Sequence, residues 1–479
     1  MLIFQRASRT QPFIVQTDTM IVMKFGGTSL QDGTALANAC EIIKSRIDRK
    51  PVVVLSAAAG ITNALIRCAE LAAAGKRAEA EAILRDSIIE RHYTIIANLI
   101  KGLREQDLLI RQFKVYDEEL RSLIYGISIT GDLSPRVLDF VMSYGERMST
   151  AIATEALRER NLRAELLDSR RCIVTNNSFG KAEPLFPATQ QACESIIRPR
   201  IDKGIVPIMQ GFIGANAQNV TTTLGRGGSD YSAAIIGTVM NADDIEIWTD
   251  VDGMMTADPN IVPDALRIKE ISFREASELA YFGAKVLHPS TLLPAIEKDV
   301  PVHILNSHRP QIAGTLIKGR IEPSNIAVKS VSYKRGITVL NISSTRMLGS
   351  HGFMKKIFDI FDEHQTSVDL VTTSEVSISL SIERAPDLDV LVKELQRYGD
   401  LTVLQEKAVI CIVGERLKSE HGIAARVFSC LKDIPIDMIS HGASEINITC
   451  VIDEKHVPEA IQDLHREFFA SISAPDTFE

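Results

Sequence analysis

Ile21-Val22-Met23-Lys24-Phe25-Gly26-Gly27-Thr28-Ser29 reads as a β-strand running into a glycine turn. Ile21–Met23 is short and rich in β-branched residues, and the next apolar positions, Leu36, Cys40, Ile43 and Ile47, fall on one helical face. Between strand and helix, two glycines let the backbone approach an anion, and their N–H groups with the helix N-terminus favour phosphate oxygens. Lys24 at the strand end supplies positive charge for a transferring phosphoryl group. The segment is not a Walker A loop, since no Gly-Lys-Ser/Thr follows at the required spacing. A strand, a Gly-Gly pair and a helix also make a plain turn, so the segment needs company.

Outward from this point, Val52–Leu55, Ile205–Met209 and Ile245–Trp248 are further strand-like runs, separated by helical patterns as far as Pro301. The alternation predicts a parallel sheet covered by helices on both faces. Ser272 and Glu275 have capping-box spacing before Leu279 and Phe282. Ala72–Ser122 is expected to form two or three long surface helices, and Arg136–Leu157 another, on which the carboxylate of Glu146 would ordinarily face water. The final third repeats itself. His351-Gly352, a helical face, Val368-Asp369-Leu370 and Ser374-Glu375 recur as His421-Gly422, a helical face, Ile436-Asp437-Met438 and Ser444-Glu445, which predicts two copies of one small module with a binding or regulatory role.

The 479-residue chain carries 53 Lys+Arg against 61 Asp+Glu, a net charge of −8, and is 45% hydrophobic and 24% charged. This suits a soluble globular protein of about three domains. The acidic excess argues against holding nucleic acid by phosphate neutralisation, and no apolar run approaches the ~18 residues that cross a bilayer. Neither nucleic acid nor membrane is expected as a partner. Cys40, Cys68, Cys172, Cys193, Cys411, Cys430 and Cys450 contain no CxxC pair, which removes a zinc site and a disulfide framework and suits a reducing cytoplasm. Residues 1–19 have no periodic apolar face and are expected to be a disordered extension.

Three further segments carry chemistry. Thr223-Leu224-Gly225-Arg226-Gly227-Gly228-Ser229-Asp230 brings backbone amides, a guanidinium fork and a carboxylate to the start of a helix expected over Tyr231–Met240, which suits an anionic substrate beside a nucleotide; the alternative is a glycine turn with Ser229 or Asp230 as N-cap, but a pure cap has no use for Arg226 between glycines. Trp248-Thr249-Asp250-Val251-Asp252-Gly253 ends a strand, where open α/β sheets bind ligands, although Asp-Gly also makes a plain turn. Phe282-Gly283-Ala284-Lys285-Val286-Leu287-His288-Pro289 places Lys285 near a helix end.

In this order, Lys24–Ser29, Ser56-Ala57 with Thr62-Asn63, Gly145-Glu146-Arg147, Gly225–Asp230, Trp248–Gly253 and Phe282–Pro289, followed by two small repeats, closely resemble the aspartate kinase family, in its monofunctional lysine-sensitive form. The resemblance spans the chain from Ile21. It implies an α/β amino-acid-kinase fold at 20–320, a parallel-rich sheet between helical layers, and two α+β ACT regulatory domains at 321–400 and 401–479. The implied reaction moves the ATP γ-phosphate to the β-carboxylate of L-aspartate, giving 4-phospho-L-aspartate at the head of the lysine, threonine and methionine pathway. Mg²⁺ would arrive on the nucleotide phosphates, with no metal site of the protein's own.

By the same resemblance Lys24 and Asp230 are catalytic, Gly26, Gly27, Thr249, Asp250 and Lys285 hold ATP, and Thr62, Glu146, Phe212, Arg226 and Ser229 hold aspartate. L-Lysine would inhibit by binding at Met347, Ser350, Gly352, Met354, Val368, Asp369, Ser374 and Glu375, between the ACT modules of a homodimer or dimer of dimers. One loop departs from the family pattern Gly-Ile-Tyr-Thr-x-Asp-Pro-Arg: Gly253–Asn260 has Met255 and Asn260 where an aromatic and an arginine usually help hold the nucleotide. Another amino-acid-kinase superfamily enzyme would share the Lys–Gly-Gly turn, but the repeats and the Glu146–Arg226 pair speak against it. A catalytically weak ACT-containing sensor is disfavoured by Lys24, Asp230 and Lys285 being retained together.

Overall fold

Alternation along the first strand, Ile21–Phe25, builds two cores at once. In the computed structural model, which describes residues 19–283, 287, 289–321, 326–383, 385, 387–470 and 477–479, Ile21, Met23 and Phe25 join one apolar cluster and Met20 and Val22 the other. Strand Pro51–Leu55 does the same, with Val53 and Leu55 against Val52 and Val54. Burial on both faces is what a parallel strand requires. The eight-stranded sheet runs Ala164–Leu167, Val206–Gln210, Pro51–Leu55, Ile21–Phe25, Asp244–Thr249, Val302–Asn306, Thr315–Lys318, Glu270–Ser272. Its pairings are parallel except between Val302–Asn306 and Thr315–Lys318.

Helices cover both faces. Gly33–Ser45, Ile61–Ala73, Glu90–Leu99, Leu103–Thr130 and Tyr144–Glu159 lie on the Met23 side, and Phe186–Ile196, Gly228–Val239 and Phe273–Tyr281 on the Val22 side. The segment expected as surface helices buries Leu84, Ile88, Ile95, Phe113, Leu120 and Ile124 instead, because its apolar stripes pack on one another to make a core of their own. The stretch 136–157 is split at Ser143 into Pro135–Met142 and Tyr144–Glu159. The capping box is present: Glu275 N–H reaches Ser272 Oγ at 3.3 Å and Ser272 N–H reaches Glu275 Oε2 at 3.0 Å.

The final third forms one antiparallel six-stranded sheet in the order Val368–Thr373, Ser377–Ile382, Ser330–Ser343, Asp400–Val413, Asn447–Asp453, Ile436–His441. It curls until the two edge strands come within 8 Å, Cα to Cα. The two long central strands cross from one repeat into the other. Ser330–Lys334 pairs with Val409–Val413, whereas Ile337–Ser343 pairs with Asp400–Lys407. The second module therefore takes one strand from ahead of the first, which is nested inside it, and the sheet does not divide at 400/401. The repeat pattern hides this because the borrowed strand precedes both copies.

The modules also differ in what they pack on. The second shares its apolar cluster with the eight-stranded sheet, through Val409, Val427, Ile448 and Ile461, while the first has a separate cluster around Leu340, Ile357, Phe361 and Leu380. Thr477–Glu479 pairs with the backbone of Arg267–Lys269 at the edge of the catalytic region. Residues 1–18 lie outside the described residues.

Candidate active site

Strand alternation places Lys24 on the same side as Val22, towards helix Gly228–Val239, and Lys24 Nζ meets Asp230 Oδ1 at 2.6 Å. The helix begins three residues earlier than expected, with Gly227 in the left-handed conformation as its N-cap. Ser229 and Asp230 are thus not caps but first-turn residues, and the N-terminal amides open into a cavity suited to an anion. That cavity, of about 390 Å³, is lined by Lys24, Gly27, Ser56–Gly60, Thr62, Glu146, Phe212, Arg226, Ser229 and Asp230. All five residues expected to hold aspartate meet there.

Glu146 does not face water. It is 3% exposed, because its helix presses on the Ser56–Ala57 loop at Gly145, where a Cβ would stand 2.7 Å from Ala57 Cβ. Glu146 Oε1 accepts the Ala57 N–H at 3.1 Å and Oε2 has no hydrogen-bond partner. Burial raises its carboxyl from 4.5 to about 8. The next residue belongs elsewhere, since the Arg147 guanidinium stacks 4.1 Å from the Tyr144 ring centroid. Arg226 is exposed at the cavity rim. Phe212 adopts φ 67°, a conformation that costs a bulky residue on the order of 1 kcal/mol and is held by bonds from its N–H to Ser232 Oγ (2.9 Å) and from Leu224 N–H to its carbonyl (2.9 Å).

Thr249 and Asp250 lie outside this cavity, at the carboxyl end of the strand Asp244–Thr249. Gly26 N–H bonds the Trp248 carbonyl at 3.0 Å, and Ser307 N–H bonds the Thr249 carbonyl at 2.8 Å. Ser29 Oγ reaches Ser307 Oγ at 2.7 Å, and Asp252 is held by Asn306 Nδ2 at 2.6 Å and by an ion pair with Arg309. Asn306–Arg309 carry no expectation from the sequence, although they end or follow the strand Val302–Asn306 at the same end of the sheet. Lys285 and His288 lie outside the described residues.

The Met255–Asn260 loop is tied to the six-stranded sheet and its last helix. Ser330 Oγ bonds the Met255 carbonyl (2.8 Å), Val331 N–H the Thr256 carbonyl (2.8 Å), Tyr333 OH bonds Asp258 Oδ2 (2.8 Å), and Thr256 Oγ1 lies 3.0 Å from His465 Nε2.

Of the residues expected to hold lysine, Gly352 opens helix Phe353–Glu363 with φ 78°, and Met347, Met354 and Val368 pack on the first module's core. Ser350, Ser374 and Glu375 are exposed. Asp369 accepts a bond from Tyr281 OH on the catalytic region and lies 3.9 Å from Lys334 Nζ, which also pairs with Glu383; its burial raises the carboxyl pKa. In the second module the matching Asp437 is bridged by Lys407 at 2.8 Å.

The amino acid kinase family matches residues 19–306 and an ACT domain family matches residues 410–468. The lysine-sensitive aspartokinase 3 of Escherichia coli is 37% identical over 94% of this chain and 99% of its own length. Two crystal structures of E. coli aspartokinase III are similar throughout: the R-state complex with aspartate and ADP has TM-score 0.82 at 37% identity, covering 94% of this chain and 100% of that one. The T-state complex with lysine and aspartate has TM-score 0.79 at 38% identity, covering 94% and 99%. A cavity that gathers a cation, a buried carboxylate and a helix N-terminus, on this fold and with these relatives over 94% of its length, makes the chain a member of the aspartokinases, the ATP-using phosphotransferases that act on aspartate.

Proposed function

We propose that the cavity binds L-aspartate with Glu146 on the α-ammonium and Arg226 on the α-carboxylate, leaving the β-carboxylate to attack the γ-phosphorus of ATP. The unpartnered Oε2 of buried Glu146 carries this reading, since a lone buried carboxylate oxygen needs a cationic partner. Thr62, Ser229 and Phe212 complete the pocket, with the Phe212 backbone fixing its floor. The product is 4-phospho-L-aspartate, the first intermediate towards lysine, threonine and methionine.

Phosphoryl transfer consists mainly of positioning and charge neutralisation. Lys24, held by Asp230, is placed to offset charge growing on the transferred group, while the Gly26-Gly27 turn cradles the phosphates and Thr249, Asp250 and Lys285 serve the nucleotide. Mg²⁺ is assigned to the ATP phosphates, where it would neutralise charge. The seven cysteines are free, which suits a reducing cytoplasm.

L-Lysine is assigned as feedback inhibitor at the first ACT module of a homodimer or dimer of dimers, supported by the lysine-bound relative. Because Asp369 is already engaged by Tyr281, lysine must displace that bond or bind beside it. The deciding measurement is ADP release with L-aspartate and Mg-ATP, with and without lysine. Lys24→Ala should lower kcat ~10²–10³-fold with little change in aspartate KM, and Arg226→Ala should raise aspartate KM sharply with nucleotide affinity unchanged. Normal turnover in the first, or a normal aspartate KM in the second, would place the chemistry elsewhere.

A further inference from the structure

We infer that Asp139 is the positioning residue that sets the gap between Arg226 and Glu146, an inference that rests on the assignment of those two side chains to the substrate. Asp139 is fully buried on helix Pro135–Met142 and does not line the cavity. Its carboxylate is committed to one wall. Oδ1 accepts Thr223 Oγ1 at 2.7 Å, and Oδ2 accepts the N–H groups of Thr223 at 2.9 Å and of Gly180 at 3.0 Å.

Thr223 ends the strand Thr221–Thr223, and the chain then passes through Leu224 and Gly225 directly to Arg226. Gly180 supports the same turn from behind: a Cβ on Gly225 would stand 3.2 Å from the Gly180 carbonyl oxygen, and Ala182 N–H bonds the Thr223 carbonyl at 2.8 Å. At its other end the Asp139 helix continues past Ser143 into Tyr144–Glu159, whose first turn carries Glu146. One buried side chain thus fastens the wall bearing the carboxylate anchor to the segment leading into the ammonium anchor. An α-amino acid carries both groups on one carbon, so the two anchors act together only at a matching separation. Thr249 and Asp250, assigned above to the nucleotide, lie at another strand end and are not touched by this tie.

Asp139→Asn keeps the shape, but with its carbonyl oxygen turned to the two N–H groups it sets the amide N–H₂ against the Thr223 hydroxyl, so the charge-assisted acceptor is lost and the hydroxyl proton loses its partner. In the full-length enzyme it is expected to raise aspartate KM about tenfold, with kcat and ATP KM within about twofold. Thr223→Val removes only the 2.7 Å bond and decides the matter should Asp139→Asn fail to fold; aspartate KM should then rise about threefold. A merely structural defect would lower the active fraction, and so kcat, without moving either KM. An unchanged aspartate KM in the folded variants, or an equal rise in ATP KM, overturns the inference. Arg226→Ala, measured alongside, separates the two levels. If it leaves aspartate KM unchanged, the substrate assignment fails and this inference with it; if it raises KM while the Asp139 and Thr223 variants do not, the inference alone fails.

Discussion

Glu146 combines burial, one committed oxygen and one free oxygen, and that combination makes aspartate binding a proton-linked event. With its carboxyl raised from 4.5 to about 8 by burial, Glu146 holds a proton in the empty pocket below pH 8, and an ammonium ligand must drive that proton off. The apparent affinity for aspartate is therefore expected to rise about tenfold per pH unit up to pH ~8 and then level. Glu146→Gln should bind weakly at every pH with the slope gone. Aspartate KM between pH 6 and 9 measures both, and a flat wild-type profile would remove Glu146 from the ammonium. Stability of the ligand-free protein has the opposite sign. The folded state keeps a proton that the unfolded chain releases above 4.5, so this group's contribution diminishes as pH rises from 4.5 towards 8.

Among the elements, the helix Phe273–Tyr281 owes its start to a local device: Ser272 and Glu275 satisfy each other's backbone N–H, and Glu275 also meets buried Lys329 at 3.3 Å, just ahead of the regulatory sheet. Ser272→Ala is expected to cost about 1 kcal/mol, read as a lower melting midpoint, while Ser272→Thr keeps the hydroxyl and the stability. This cap was legible in the sequence, as were the strand–glycine–helix opening and the alternating strands, because each depends on residues within a few positions of one another. The order of motifs then carried the family. What could not be read depends on distant partners. Burial of Glu146 needs Ala57 to come against Gly145, and the small sheet of Val174–Thr175, Ile213–Asn216 and Thr221–Thr223, which frames Phe212 and Thr223, has strands too short to show a period. Asp139 in mid-helix looks like any solvated acid until its three donors arrive from residues 180 and 223.

Across the whole molecule, the six-stranded-sheet region contacts the kinase region at several places, among them the Met255–Asn260 loop and the Tyr281–Asp369 bond. The second joins the expected lysine site to the end of the helix Phe273–Tyr281. Coupling between two ligands requires each to bias the same element, and this bond is placed to be one. Tyr281→Phe is expected to leave activity without lysine within about twofold, and to change the half-inhibiting lysine concentration about fivefold, the worth of roughly one hydrogen bond; an unaltered inhibition curve would exclude the bond from the coupling. The nested order of the two ACT modules has a consequence for how the chain reaches this state. The inner module closes through strands near one another in sequence, whereas Ser330–Lys334 must wait for Val409–Val413 to come round, and distant closure is the slower event. During refolding, amides of Ile337–Ser343 and Ser377–Ile382 should gain protection from hydrogen exchange before those of Ser330–Lys334. The inner repeat would then serve as the template on which the outer one is completed, so the module carrying the expected lysine site is assembled before the module that binds it to the catalytic core.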